Sequence, residues 1–204
     1  MKLDYIITGT PRSASRYMAE LFTSVGIHIS HELIFGMPGL FHIPTPGEDI
    51  EGDSSWLAVP LLNAYENVNK IHVVRNPIKV ISSMKSKNFL EVGDSNLYTN
   101  YVFHCMPNID QYEGLDRYLY FWIHWNESAE YFIDKFYRIE DITKSPKKFF
   151  DSIGVSVPKG TEFFKGKSNI YDRGKDISMS SFKSCELYGQ LVDRAAHYGY
   201  KLST

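Results

Sequence analysis

Asp4-Tyr5-Ile6-Ile7-Thr8-Gly9-Thr10-Pro11-Arg12-Ser13-Ala14-Ser15-Arg16-Tyr17 is the stretch that decides the fold class. Its first five residues form a short β-rich apolar run that stops at Gly9. From Ala14 to Val25 the apolar residues recur at helical spacing, with Tyr17, Met18, Leu21, Phe22 and Val25 on one side and Gly26 closing the helix. The reading is strand, tight loop, helix.

The same unit recurs at Lys70 to Val74 (KIHVV), the best strand in the chain, followed by Asn76 as a helix cap and Pro77 in the first turn, where its missing N–H costs nothing. Between the two units, Ile27 to Ser30 alternates like a short strand, Gly36 to Gly52 reads as loop, and Trp56 to Glu66 as a helix with Ser54 as its cap. Asn88 to Glu113 is polar and aromatic without clear period, and is expected to be a long flexible segment over the top of the sheet. Its aromatic residues, continuing to Tyr120, are placed to cover a site there and select its ligand. Further on come a helix over Leu115 to Ile133, a strand over Phe136 to Ile139, a short helix over Pro146 to Ile153, a loop over Lys159 to Ile177, and a last helix over Ser181 to Tyr198 closed by Gly199. Strands alternating with helices imply an α/β fold: a single P-loop-like domain with a mostly parallel central sheet flanked by helices. Ligands on such sheets bind beyond the carboxyl ends of the strands.

The chain has 204 residues, enough for one domain with a real core. A net charge of -2, a pI near 6.4 and a mean hydropathy of -0.27 describe an ordinary soluble protein. They provide no global field for nucleic acid, so an anion site must be local. Cys105 and Cys185 make no disulfide framework or paired zinc spacing, and no metal site is expected. With no signal-like segment and no apolar run of about 18 residues, the expectation is a cytoplasmic enzyme without a membrane span.

Gly9 to Arg16 leads into a helix N-terminus, where free N–H groups and the positive dipole end favour a phosphate. Arg12, Ser13, Ser15 and Arg16 add side-chain donors. The loop resembles a nucleotide-kinase P-loop in place only: Ser15 stands where G-x-x-x-x-G-K-[ST] has its lysine, and Arg16 where it has the metal-binding hydroxyl. In the second unit Arg75 leaves a strand end and Ser83 lies about two helical turns on, roughly 10 Å, which a long arginine side chain spans. Two anion sites on neighbouring strands fit a nucleotide phosphorylated at both ends. Taken alone, Arg75 equally fits a surface arginine and Ser83 a helix-face serine.

Pro11-Arg12-Ser13-Ala14-Ser15-Arg16-Tyr17 resembles the 5'-phosphosulfate loop of the sulfotransferases that use 3'-phosphoadenosine 5'-phosphosulfate (PAPS). Arg75-Asn76-Pro77 with Ser83 resembles that family's 3'-phosphate motif, and Tyr137 to Ile142 its later R-Y-E-D-L strand end. Trp125-Asn126 and Gly199-Tyr200 are similar to features of its compact bacterial and viral-type members.

The resemblance implies sulfuryl transfer from PAPS to a hydroxyl or amine on a small-molecule, sugar or lipid acceptor, by in-line displacement without a metal. It places Arg12 at the bridging oxygen of the leaving group, and Ser13, Ala14, Ser15 and Arg16 around the 5'-phosphosulfate. Tyr17 would stand beside the adenine, where many members have tryptophan, and Arg75 and Ser83 at the 3'-phosphate, with Lys165 and Lys167 completing that site. Arg12 replaces a lysine, as in many bacterial members. Arg16 replaces a threonine of the cytosolic enzymes, although Ser15-Arg16 is similar to the Thr-Arg of the glycosaminoglycan branch. Ala14 replaces the usual glycine and is strained if the loop requires positive φ there.

By resemblance to the tyrosylprotein sulfotransferases, Glu32 is the first choice as base, with His31 and Asp53 in reserve. The plain alternative for Glu32 is a solvated carboxylate at a loop start. Two other functional readings stand beside the sulfotransferase: a non-catalytic nucleotide-binding protein of the same fold, and a P-loop-type small-molecule kinase, which lacks its lysine and hydroxyl here.

Overall fold

The structure is a computed structural model and describes residues 3–37, 49–91, 96–166 and 176–202. The chain forms two compact units, Met1–Arg75 with Ala129–Ile170, and Asn76–Ser128 with Tyr171–Thr204. The described α-helices are α1 (Ser15–Thr23), α2 (Pro77–Lys85), α3 (Leu97–Cys105), α4 (Gly114–Glu130), α5 (Ile139–Lys144), α6 (Pro146–Ser152), α7 (Met179–Lys183) and α8 (Tyr188–His197). None is long and apolar enough to cross a membrane.

In the first unit, β1 (Tyr5–Thr8), β2 (Ile29–His31), β3 (Gly52–Ser54), β4 (Asn69–Val74) and β5 (Phe136–Arg138) form one sheet in the order β2-β3-β1-β4-β5. Every pairing is parallel, with Ile7 opposite Ser54 on one side and Ile71 on the other. The expected α/β class is therefore the class found.

Successive residues of β1 point to opposite faces of the sheet. Ile7 packs with Met18, Leu21 and Phe22 of α1 and with Phe149 and Phe150 of α6. Ile6 packs with Ala58 and Leu62 of a 3-10 helix, Trp56–Ala64, and with Ile34 and Phe35. Both faces are covered by apolar side chains, which is why β1 reads as an apolar run rather than an alternation. From β1 the chain turns towards β2 and β3, whereas β4 is followed in the sheet by β5 on its far side. The carboxyl ends of β1 and β4 thus flank the switch point of the sheet, where crevices open in parallel α/β folds.

In the second unit Asn76 caps α2, its side chain accepting from the Lys79 N–H at 3.3 Å, with Pro77 at the first position, as read from the sequence. Tyr118, Phe121, Trp122 and Trp125 of α4 are buried, and Trp122 meets Tyr198 edge-on at 5.8 Å. Arg194 of α8 pairs with Glu127 of α4.

Four readings are corrected. The segment expected to be irregular contains α3 and a 3-10 helix at Pro107–Gln111. Asn96 caps α3, accepting from the Tyr98 N–H at 3.0 Å, while aromatic residues spread around the helix blur its period: Tyr98 packs on Phe89 and Tyr101 on Trp125. Gly52–Ser54 is a strand, and the cap of the following helix is Ser55, whose oxygen accepts from the Leu57 N–H at 3.1 Å. The strand at Phe136 stops at Arg138, and α5 begins at once. The last helix is two, because the Leu187 N–H donates to Asp116 Oδ1 at 2.9 Å instead of continuing the turn of α7.

Candidate active site

Gly9 ends β1 because nothing larger fits: a Cβ there would lie 2.1 Å from the carbonyl oxygen of Val73 in β4. The chain then folds back in a hydroxyl-braced turn. The Ser13 N–H donates to the Thr10 carbonyl at 3.1 Å, and the hydroxyls of Thr10 and Ser13 share a hydrogen bond of 2.7 Å. Arg12 and Ala14 both have left-handed backbones, φ 70° and 78°. Ala14 thus carries the positive φ that its place in the loop implied. Each such residue costs about 1–2 kcal/mol relative to the right-handed region.

Ala14 is also the N-cap of α1, and no side chain caps that helix. Its first-turn N–H groups accordingly have no side-chain cap, the arrangement that suits an anionic group at a helix start. The Ser15 carbonyl is held from β3, by the Ser54 hydroxyl donating at 2.8 Å. From β4, Arg75 Nη1 donates to the Arg12 carbonyl at 2.9 Å. Behind the loop lies a small cavity lined by Thr8, Thr10, Ser13, Ser15, Ser54 and Trp56 among others.

Ser15, His31 and Glu32 come together across the β1 and β2 strand ends. Ser15 Oγ and His31 Nε2 share a hydrogen bond of 3.0 Å, and His31 Nε2 lies 3.7 Å from Glu32 Oε1. Glu32 has a left-handed backbone, φ 52°, and its N–H donates to the Ser54 carbonyl at 3.3 Å. Its side chain is only 22% exposed, so it is not a freely solvated carboxylate. Burial first, and then the charge of Asp53, push its pKa up to about 7, against the opposing pull of Arg12 and Arg16. Burial and the Arg16 charge lower the pKa of His31, with Asp53 and Glu20 pulling the other way.

The other expected site residues fall as follows. Ser13 is buried and engaged with Thr10; Arg16 is exposed on the first turn of α1. Tyr17 is buried in the first-unit core, its ring 5.8 Å from that of Phe164, and Lys165 is the exposed residue after that phenylalanine. Ser83 is buried on α2 in the second unit. Lys167 lies outside the described residues. Thr10, Ser30 and Ser54 carry no site motif in the sequence, yet each braces this region. The hydroxyls in the run Gly9 to Ser15 were a signal for Thr10; for Ser30 and Ser54 the signal is strand pairing, which is not local in sequence.

No family model matches the chain, and no curated protein matches it. Among solved structures, it is similar to a sulfotransferase from Alicyclobacillus acidocaldarius, with a TM-score of 0.56 and 15% identity over 99% of this chain and 98% of that one. At that identity the likeness is one of fold, and it extends over the whole chain.

Proposed function

We propose that this chain is a sulfotransferase that moves a sulfuryl group from PAPS to a hydroxyl or amine of a small-molecule, sugar or lipid acceptor. The observation that carries the reading is the chain from Ser15 of the phosphosulfate motif to His31, at 3.0 Å, and from His31 to the Glu32 carboxyl, at 3.7 Å, which brings a carboxyl with a raised pKa to the strand ends where that motif falls. An acid with its pKa near the working pH is suited to take a proton and release it again. The fold likeness to a sulfotransferase agrees with this reading.

In this mechanism the loop amides and the hydroxyls of Ser13 and Ser15 hold the 5'-phosphosulfate, and Arg75 holds the 3'-phosphate, a role that Ser83 has by resemblance alone. Glu32 takes the proton of the acceptor as its oxygen or nitrogen forms a bond to sulfur. The bond from sulfur to the bridging phosphate oxygen breaks on the opposite side, and Arg12 offsets the negative charge that develops there. His31, bonded to Ser15 and beside Glu32, links the donor loop to the base. Tyr17 and Lys165 are assigned to the nucleotide by resemblance alone.

Calorimetric titration with adenosine 3',5'-bisphosphate and, separately, with ADP tests the donor site, both without metal. Tight binding of the bisphosphate and weak binding of ADP is the expected result, followed by an acceptor screen with PAPS. Binding of neither nucleotide, or of ADP only with magnesium, would overturn the reading. Bisphosphate binding with no transfer to any acceptor would favour a non-catalytic nucleotide-binding protein.

A further inference from the structure

The turn that presents Glu32 is built around a second carboxylate. Asp53, in the middle of β3, has no exposed surface. Its Oδ1 accepts from the Ser30 hydroxyl at 2.7 Å and from the Leu33 N–H at 3.3 Å, and its Oδ2 accepts from the Phe35 N–H at 2.8 Å. These donors bracket Glu32 in the chain, one before it and two after. The Ser55 hydroxyl adds a fourth tie, donating to the Phe35 carbonyl at 2.7 Å. A residue with φ 52°, such as Glu32, persists only where its surroundings over-determine it.

We propose that Asp53 is a positioning residue: by accepting from Ser30, Leu33 and Phe35 it fixes the turn that holds the Glu32 carboxyl beside the Arg12 loop. The proposal rests on the reading of Glu32 as the base. It also removes Asp53 from the list of bases, because both its oxygens are occupied and it has no surface to offer an acceptor. The charged and titratable groups facing Glu32 are His31 beside it on β2, Arg12 on the loop, Arg16 on α1 and Asp53 on β3. Arg12 and Arg16 favour the ionised form of Glu32, whereas Asp53 opposes it, so the residue that fixes the place of the base also adds, after burial, to its raised pKa.

The test uses the full chain carrying carbon-13 glutamate, with the Glu32 carboxyl signal assigned by its loss in Glu32→Gln. In Asp53→Asn the Glu32 midpoint is expected to fall below about 7 while burial keeps it above the ordinary 4.5. Asparagine keeps one acceptor oxygen, so hydrogen exchange should accelerate by up to about tenfold at whichever of the Leu33 and Phe35 amides meets the new amide nitrogen, the loss of one hydrogen bond. A purely structural role would change exchange but not the midpoint. An unchanged midpoint, with or without faster exchange, overturns the proposal. Should Asp53→Asn fail to fold, Ser30→Ala takes its place. That variant keeps the Asp53 charge and loosens the turn, so Leu33 should exchange faster and the Glu32 midpoint should fall below about 7 as its carboxyl gains solvent; an unchanged midpoint there overturns the proposal. Neither readout needs donor or acceptor, so failure of this inference is separate from failure of the bisphosphate titration.

Discussion

Arg75 Nη1 donates a 2.9 Å hydrogen bond to the carbonyl oxygen of Arg12, joining the carboxyl end of β4 to the loop that follows β1. The carbonyl it reaches belongs to a residue in the left-handed region, φ 70°, so the arginine stabilises a backbone that costs energy to hold. Arg75 therefore has a role in loop shape besides the 3'-phosphate role assigned to it. Replacement by alanine should have two effects. A charged hydrogen bond to a half-exposed partner is worth about 1 kcal/mol, so binding of ADP and of adenosine 3',5'-bisphosphate should both weaken by about fivefold through the loop. The bisphosphate should lose at least a further tenfold, the loss expected on removal of a phosphate-binding arginine. Calorimetry with both nucleotides separates the parts, and equal losses would leave Arg75 as a loop brace alone.

Ala14 carries a left-handed backbone, φ 78°, and is half-exposed. The strain amounts to about 1–2 kcal/mol. Glycine removes it, but the unfolded chain gains freedom worth about 0.5–1 kcal/mol. Ala14→Gly should then be the more stable protein by about 0.5–1 kcal/mol, read as a higher urea midpoint at an unchanged slope. A lower midpoint would show that the methyl group contributes packing that outweighs the strain.

The legible parts of this chain are those set by local rules. β1, α1 and β4 follow from apolar runs and helical spacing, and the cap at Asn76 with Pro77 after it is read directly. The strain at Ala14 is legible only on condition of a positive φ, and the structure meets that condition. The sequence offers Asp53 as a reserve base but not as the support of the site, because Gly-Asp-Ser carries no strand signal. Those three residues become β3 only by pairing with β1 and β2, elements distant in sequence. The raised pKa of Glu32 was hidden for the same reason, since Asp53 and the burial behind it arrive through tertiary structure. The bond from Arg75 to Arg12 depends on which way a left-handed carbonyl points, and no residue pattern encodes that direction.

Gly9 is fixed by space rather than by flexibility. A Cβ there would lie 2.1 Å from the Val73 carbonyl oxygen and 3.2 Å from its carbon, both backbone atoms of β4 that have no rotamer to escape into. Gly9→Ala must push the two central strands apart or expel the loop. Overpacking of this kind costs about 1–3 kcal/mol, and backbone against backbone falls at the upper end. Urea unfolding should show a loss of at least about 2 kcal/mol, together with loss of bisphosphate binding. Wild-type stability in this variant would mean that the β1 and β4 ends separate at little cost.

Glu32 makes stability depend on pH in an unusual direction. Its folded pKa, about 7, lies above the ordinary 4.5, so between those values the folded state holds a proton that the unfolded state has released. Folding is then favoured by protons. The contribution is complete below pH 4.5, declines as pH rises through about 7, and is lost above it. At about 1.36 kcal/mol per pKa unit the difference is about 3 kcal/mol, an upper figure for a side chain with some solvent contact. Glutamine keeps the shape and removes the titration. Glu32→Gln should match the wild type in urea stability at pH 4.5 and exceed it by up to about 3 kcal/mol at pH 8, while losing sulfuryl transfer once an acceptor is in hand. Parallel stability profiles for the two proteins would show that Glu32 titrates like a solvated carboxylate, and the role of base would then pass to His31.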